Sequence, residues 1–173
     1  MGFVAFESGP AFGGTIVDLG SGVGLPALVL ADAFPETKWT LIERREGRAD
    51  LLRRAVVRLG WSDRVEVISG DAGDSADGPI RGSADWVTAR SFGPPGLTAE
   101  LGSPFLKTGG RLLTSVLRDD QVPDGWPAEG LARCGLEVGE RWETPAGAYR
   151  SFRRTASALV GLPRRGARKR LLF

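Results

Sequence analysis

The sequence predicts an α/β fold built on a doubly wound, mostly parallel sheet of seven strands. Apolar segments with the two-residue period of strands alternate along the chain with segments of helical period, which is the order that βαβ units produce. A glycine-rich turn at residues 20–24 directly follows the first predicted strand. The chain has 173 residues, 42% hydrophobic and 25% charged, which suffices for one sizeable core.

The apolar periodicity places each element in turn. Strands are predicted at 15–19, 39–42, 65–68, 85–89, 111–117, 136–142 and 149–155, the last two as an antiparallel pair. Helices are predicted at 25–34, 47–59, 95–106 and 128–134, residues 74–83 form a loop or a weak helix, and residues 119–126 form a loop. Trp39 and Trp86 lie inside strands and are predicted to be core residues.

In the second helix, the apolar residues are predicted to share one face. They are Leu51, Leu52, Ala55, Val56 and Leu59, and Gly60 then ends the helix.

The composition excludes several classes of site. Histidine is absent and Cys134 is the one cysteine, so neither an internal disulfide nor a zinc site is expected, and no metal is predicted. The first residues lack a basic start, and no apolar run reaches membrane-spanning length. These features predict a cytoplasmic protein with no membrane partner.

The turn after the first strand has the sequence Asp-Leu-Gly-Ser-Gly-Val-Gly at 18–24. Glycines there allow a sharp turn and a close approach of the backbone to a ligand, and the following helix offers free N–H groups. A dinucleotide fingerprint would need glycine at position 25, where Leu25 stands, and no Gly-Lys-Ser/Thr follows as in a phosphate-binding loop. The turn therefore indicates a ligand without a pyrophosphate.

Acidic residues end three successive predicted strands. Asp18 precedes the glycines, Glu43 ends the second strand, and Asp71 follows the third with Ala72 beside it. The carboxyl ends of parallel strands meet at one edge of the sheet, where ligands of this fold bind. Glu43 is placed for two ribose hydroxyls, Asp71 for an adenine amino group, and Asp18 for ammonium and sulfonium groups. The ordered set predicts S-adenosylmethionine (SAM) as the cofactor.

Each of these features also has a structural explanation. Glycine-rich turns occur by chance in a chain with 25 glycines. Glu43 could form an ion pair with Arg44 or Arg45, and Asp71 could cap a turn.

Two segments resemble the RsmG (GidB) family of bacterial 16S ribosomal RNA guanine-N7 methyltransferases. They are the Gly-Leu-Pro helix start at 24–26 and the run Ala-Asp-Trp-Val-Thr-Ala-Arg-Ser-Phe at 84–92. The resemblance spans residues 14–117, and the ending at 162–169 is similar to the basic ending of that family. The family carries a helical segment before the glycine turn, so a paralogue or an N-terminally shortened member stays open.

The resemblance implies a class I SAM-dependent methyltransferase fold. It adds two residues, Leu25 and Arg90, to the predicted site. By this resemblance Gly20, Leu25, Asp71, Ala72 and Arg90 match cofactor-contacting positions. Arg90 would lie beside the methionine end of the cofactor or the incoming base, and it is the candidate catalytic residue. Its structural alternative is an ion pair with Asp71 or Asp85. The complete predicted cofactor site is Asp18, Gly20, Ser21, Gly22, Gly24, Leu25, Glu43, Asp71, Ala72 and Arg90.

The net charge of +2 is unevenly distributed. No acidic residue follows Glu143, whereas the segment after it has eight basic residues. We therefore predict that the chain consists of a SAM-binding domain at 1–156 and a basic strap or arm at 157–173. Such an arm can neutralise the phosphates of a nucleic acid. Because the chain uses 20 arginines against 3 lysines, the excess can equally reflect composition.

The predicted function is transfer of a methyl group to a guanine N7 in RNA of the small ribosomal subunit, hence a role in rRNA processing. N7 has a free lone pair and need not lose a proton, which fits a chain without histidine. Two alternatives stay open: a small-molecule methyltransferase of the same fold, with Phe92 or Trp126 closing an apolar pocket, and a non-catalytic SAM-binding paralogue.

Overall fold

The chain folds around one seven-stranded sheet, and the predicted α/β class is confirmed. A computed structural model describes residues 10–118, 125–145, 147–155 and 161–173. The strands are β1 (Thr15–Leu19), β2 (Lys38–Glu43), β3 (Val65–Ser69), β4 (Ala84–Ala89), β5 (Leu106–Val116), β6 (Leu136–Thr144) and β7 (Gly147–Arg154). Their spatial order is β3-β2-β1-β4-β5-β7-β6, and β7 runs antiparallel to β5 and β6. The strand set predicted from the sequence is thus present, with small differences at the ends.

Within the described ranges, five α-helices connect the strands. They are α1 (Ala27–Ala33), α2 (Glu46–Arg58), α3 (Ala72–Ser75), α4 (Pro95–Gly102) and α5 (Ala128–Arg133). The weak helix considered at 74–83 is the single turn α3, while most of the loop predicted at 119–126 lies outside the described residues. The helix predicted at 95–106 is shorter, because a 3₁₀ turn at Ser103–Phe105 leads into β5, which begins five residues earlier than expected.

Apolar residues pack in two layers, one on each face of the sheet. Helices α1 and α2 cover one face, where Trp39 and Leu41 of β2 are buried. Helices α4 and α5 cover the other, where Ile42 is buried. Neighbouring residues of a strand point to opposite faces, so a strand that is covered on both sides buries apolar residues on both faces, as Leu41 and Ile42 do. Trp39 and Trp86 are both buried, as predicted.

The predicted buried face of α2 is partly wrong. Ala49, Leu52 and Val56 are buried, whereas Leu51 and Leu59 are 51% and 48% exposed. The buried residues follow one helical stripe at intervals of three and four, and this stripe includes a small alanine instead of two large leucines. Gly60 ends the helix as predicted, with φ +72° and its N–H donating to the Val57 carbonyl.

The described part of the basic ending, residues 161–173, packs against the layer that contains α4 and α5. Leu162, Ala167 and Leu172 are buried there. Arg81 and Arg133 donate to the carbonyls of Leu162 and Leu172 at 2.8 and 3.1 Å. The division of the chain at residues 156 and 157 stays a prediction, since 156–160 lie outside the described residues.

The direction of winding reverses at β1, which pairs in parallel with both β2 and β4. Crossovers that leave on opposite sides of the sheet open a crevice at the carboxyl end of such a strand. Of the residues predicted to form a site, Gly20, Glu43 and Ala72 line this crevice, and Asp71 lies in the groove beside it. No helix in the described ranges is long and apolar enough to cross a membrane.

Candidate functional site

The glycine turn after β1 adopts a backbone conformation that side chains disfavour. Gly20, Gly22 and Gly24 have φ of +66°, +60° and +95°. The N–H groups of Gly20 and Ser21 both donate to the carbonyl of Ile42, at 2.9 and 3.1 Å, which holds the turn against β2. A Cβ on Gly20 would lie 2.9 Å from the Phe92 ring. Glycine is therefore required here by both conformation and space.

Glu43 lies at the end of β2 and is 5% exposed. One carboxylate oxygen accepts from the Gly22 N–H at 2.9 Å, and the other accepts from the Arg45 N–H at 2.8 Å. Its partners are thus backbone amides, and the ion pair with the Arg44 or Arg45 side chain is not observed. Each carboxylate oxygen keeps a second lone pair for a ligand hydroxyl.

Asp18 is buried below the turn. Thr88 donates its hydroxyl to the Asp18 carboxylate at 2.6 Å, and Ser21 donates to the Asp18 carbonyl at 3.2 Å. Burial raises the pKa of the Asp18 carboxyl from 3.8 to about 6, against the opposing effects of the Thr88 and Ser21 hydrogen bonds and the positive charge of Arg90. Asp18 supports the turn from beneath and is not among the described residues that line the cleft.

Asp71 caps α3 and also binds the chain ending. One carboxylate oxygen accepts from the Gly73 N–H at 2.8 Å, so the capping role considered from the sequence is present. The other accepts from Nε of Arg168 at 3.0 Å. The Arg168 guanidinium in turn lies over the Phe92 ring, 5.2 Å from its centroid. Residues 97 positions apart in the sequence therefore meet at the end of β3.

The turn after β4 has an unusual backbone. Ser91 is the one non-glycine residue within the described ranges with a positive φ, +52°. A residue keeps such a strained backbone conformation only where the surrounding structure holds it, and residues of this kind cluster at functional sites. Arg90 is exposed, and its proposed ion pair is not observed, since Asp71 pairs with Arg168 and Asp85 with Lys107 at 3.0 Å.

These strand ends enclose a cleft of about 220 Å³. Its described lining residues come from the ends of β1 to β4, from α2 and from the chain ending: Gly20, Ile42, Glu43, Arg44, Arg45, Arg48, Gly70, Ala72, Ser91, Phe92 and Arg168. Of the predicted site, Gly20, Glu43 and Ala72 line the cleft, and Asp71 lies in the adjoining groove. Ser21, Gly22, Gly24, Leu25 and Arg90 form the surrounding turns.

Eight described lining residues of the cleft are absent from the site predicted from the sequence: Ile42, Arg44, Arg45, Arg48, Gly70, Ser91, Phe92 and Arg168. A positive φ at Ser91 depends on the tertiary packing of the turn, and serine gives no local signal for it. The sequence shows that the ending is basic, but nothing in it indicates that Arg168 pairs with Asp71.

The strand order, the reversal at β1 and the acids at the strand ends define the class I methyltransferase fold. Solved structures with this fold include a putative sarcosine dimethylglycine methyltransferase from Galdieria sulphuraria, with a TM-score of 0.64 at 14% identity, covering 82% of this chain and 78% of that one. Another is the SAM-dependent methyltransferase SibL, with a TM-score of 0.65 at 20% identity, covering 82% and 50% of the two chains.

Within this class, the chain belongs to the GidB family, described as rRNA small subunit methyltransferase G, whose model matches residues 5–121. The ribosomal RNA small subunit methyltransferase G of Leuconostoc mesenteroides is 34% identical over 131 residues, covering 74% of this chain and 54% of that protein. The protein of the same name from Kineococcus radiotolerans is 41% identical over 126 residues, covering 72% and 48%. The chain therefore spans about half the length of the curated relatives it matches.

Proposed function

We propose that this chain binds SAM in the cleft and transfers its methyl group to a guanine N7 in small-subunit ribosomal RNA. The observation that carries the proposal is the convergence of Gly20, Glu43 and the Asp71–Ala72 pair at the reversal of the sheet. Membership of the GidB family and the names of its relatives support the same activity.

The chemistry of the cleft fits SAM. Gly20 adds no side chain to the lining of the cleft, and a Cβ there would meet the Phe92 ring. Glu43 keeps acceptor capacity for ribose hydroxyls, and the Asp71 carboxylate can share a lone pair with an adenine amino group. Glu43 is the one acid among the described lining residues, and its buried carboxylate would repel a pyrophosphate placed next to it.

In this proposal the chain positions the reactants and holds their charges. SAM supplies an already activated methyl group, so alignment and exclusion of water are the main requirements. In the same proposal, Arg90, on the turn that follows β4, orients the acceptor base or the methionine end of the cofactor. A guanine N7 loses no proton on attack, and the chain has no histidine to act as a base.

RNA is favoured over a small-molecule acceptor by the lining of the cleft. Arg44, Arg45 and Arg48 line it together with Arg168. A small-molecule enzyme would instead present a closed apolar pocket. Of the two residues predicted to close such a pocket, Trp126 stacks on Phe152 at 4.3 Å between ring centroids, whereas Phe92 lines the cleft and lies under the Arg168 guanidinium. We include a cytoplasmic location in the proposal, because ribosomal subunits are found there and the single buried cysteine needs no oxidising compartment.

The test is transfer of labelled methyl from SAM to small ribosomal subunits and to their deproteinised RNA, both from cells that lack the endogenous guanine-N7 enzyme. We expect label in RNA, with at least tenfold lower initial rates for Asp71→Ala and Arg90→Ala and an unchanged rate for the exposed control Asp63→Ala. Strand scission specific for N7-methylguanine would locate the methyl.

Absence of label, with SAM binding intact by calorimetry, would contradict the rRNA activity. It would then favour the small-molecule enzyme or the non-catalytic paralogue.

A further inference from the structure

The described lining of the cleft combines one buried acid with four exposed arginines. Glu43 is buried within, whereas Arg44, Arg45 and Arg48 are exposed residues of the β2–α2 turn and the first turns of α2. Arg168 adds a fourth arginine from the other end of the chain. We call these four residues the arginine rim.

Three of the rim arginines have no partner within the described residues. Arg44, Arg45 and Arg48 make no side-chain hydrogen bond or ion pair there. In contrast, Arg111, Arg141 and Arg153 on the sheet pair with Glu140, Glu143 and Glu137 at 2.6–2.8 Å. Clustered like charges repel one another, and their repulsion is relieved when an anion binds.

The rim arginines near the start of α2 place positive charge where it destabilises a helix. The N-terminus of a helix carries a partial positive charge and favours acids, yet Glu46 is the one acid in the first turn of α2. Arg45 is the N-cap residue and offers no side-chain capping bond. Residues that destabilise their own helix are expected mainly at functional sites, so this placement of the arginines indicates a function.

The fourth arginine is held in place by the packed chain ending. The side chain of Glu100 is 0% exposed and accepts from the backbone N–H, Nε and Nη2 of Arg164, each at 2.8 Å. Four residues later, Arg168 is fixed between Asp71 and the Phe92 ring. The rim is thus formed by two remote segments of the chain that are positioned independently.

We infer that the arginine rim binds the phosphate backbone of the RNA strand whose base enters the cleft; this inference rests on the proposed function. A small anion inside the cleft would meet the buried Glu43 carboxylate, whereas a phosphodiester strand passing outside can reach the exposed guanidinium groups of the rim. Arginine binds phosphate oxygens with its paired N–H donors, and such contacts fix the register of the strand without reading its sequence.

The experiment compares two triple variants of one helix. Arg44→Gln/Arg45→Gln/Arg48→Gln removes three charges from the rim. Arg53→Gln/Arg54→Gln/Arg58→Gln removes three exposed arginines from the same helix that line no part of the cleft. Glutamine and arginine have similar helix propensity, so both variants are expected to fold. Circular dichroism and thermal melting check this.

The measurement is the dissociation constant for deproteinised small-subunit ribosomal RNA at 50–300 mM salt. Each phosphate contact contributes roughly 0.7 to 0.9 to the slope of log K against log salt. We expect the slope of the rim variant to fall by about 2, which weakens binding about 100-fold at 0.1 M salt if the lines meet at 1 M. The control variant should change the slope by less than about 0.5.

Equal slopes for wild type and rim variant would overturn the inference, as would equal losses in the two variants. These outcomes are separable from failure of the proposed function. If RNA binding depends on the rim but no methyl is transferred, the inference about the rim is supported and the proposed enzyme activity is contradicted. If methyl is transferred while the rim variant binds RNA normally, the proposed enzyme activity is supported and the inference about the rim is contradicted.

Discussion

Replacing Asp18 by asparagine should stabilise the fold while weakening cofactor binding. Burial raises the pKa of this carboxyl from 3.8 to about 6. One pKa unit corresponds to ~1.4 kcal/mol, so the ionised side chain costs the folded state about 3 kcal/mol at pH 7.5. Asparagine has the same shape, keeps an oxygen that can accept from Thr88, and carries no charge. We therefore expect Asp18→Asn to raise the free energy of unfolding by about 1–3 kcal/mol, since its new N–H₂ group must also be satisfied.

The pH dependence of this gain provides the sharper test. A carboxyl whose pKa is higher in the folded than in the unfolded state binds its proton more tightly when folded. Its contribution to stability is fully present below pH 3.8 and is lost as the pH rises through about 6. The stability advantage of Asp18→Asn should therefore be largest above pH 7 and shrink between pH 6 and pH 4.

Urea unfolding at several pH values measures this difference, with the exposed Asp63→Asn as a control that should change stability by less than about 0.5 kcal/mol. Calorimetry of the same variant should show about tenfold weaker SAM binding, because the charge below the glycine turn is lost. A variant that is less stable than wild type at pH 7.5, or an advantage independent of pH, would refute the reasoning about Asp18.

Three further predictions follow from the packing. Gly20→Ala should weaken SAM binding at least tenfold by calorimetry, because φ is +66° and the added Cβ has no room, while Gly47→Ala, with nothing within 4 Å of the new Cβ, should bind normally; equal affinities would contradict the geometry of the turn. Glu100→Gln should loosen the chain ending and speed its removal by trypsin, because the buried partner of Arg164 loses its charge; unchanged cleavage would show that apolar contacts hold the ending alone. Burial raises the pKa of Cys134 to about 12, so its thiol should react with Ellman's reagent at pH 8 only after unfolding, and rapid reaction of the native protein would contradict its burial.

The parts of the fold that local sequence determines could be predicted well. The strand Thr15–Leu19, the glycine turn and the stop at Gly60 follow from residues adjacent in the chain, so patterning and turn chemistry suffice. The prediction of the buried face of α2 is wrong at Leu51 and Leu59, because burial depends on what the helix packs against and not on hydrophobicity alone.

Contacts between distant segments could not be predicted. The Asp71–Arg168 pair and the Glu100–Arg164 pair join the middle of the chain to its ending. Any of the basic residues near the C-terminus could satisfy either acid by charge alone, and only the packing of Leu162, Ala167 and Leu172 selects the arginine that reaches each one. The acids at the strand ends were visible in the sequence because the parallel topology itself brings them together.

The central claim is that the strand-end cleft binds SAM, and calorimetric titration of the chain with SAM tests it most directly. We expect one saturable site, with an affinity that falls at least tenfold in Glu43→Gln, since an amide offers one acceptor oxygen where the carboxylate offers two. The substitution Glu66→Gln, at an exposed residue of β3 that does not line the cleft, should leave the affinity unchanged. Folded protein without saturable SAM binding, or equal affinities for wild type and Glu43→Gln, would contradict the account.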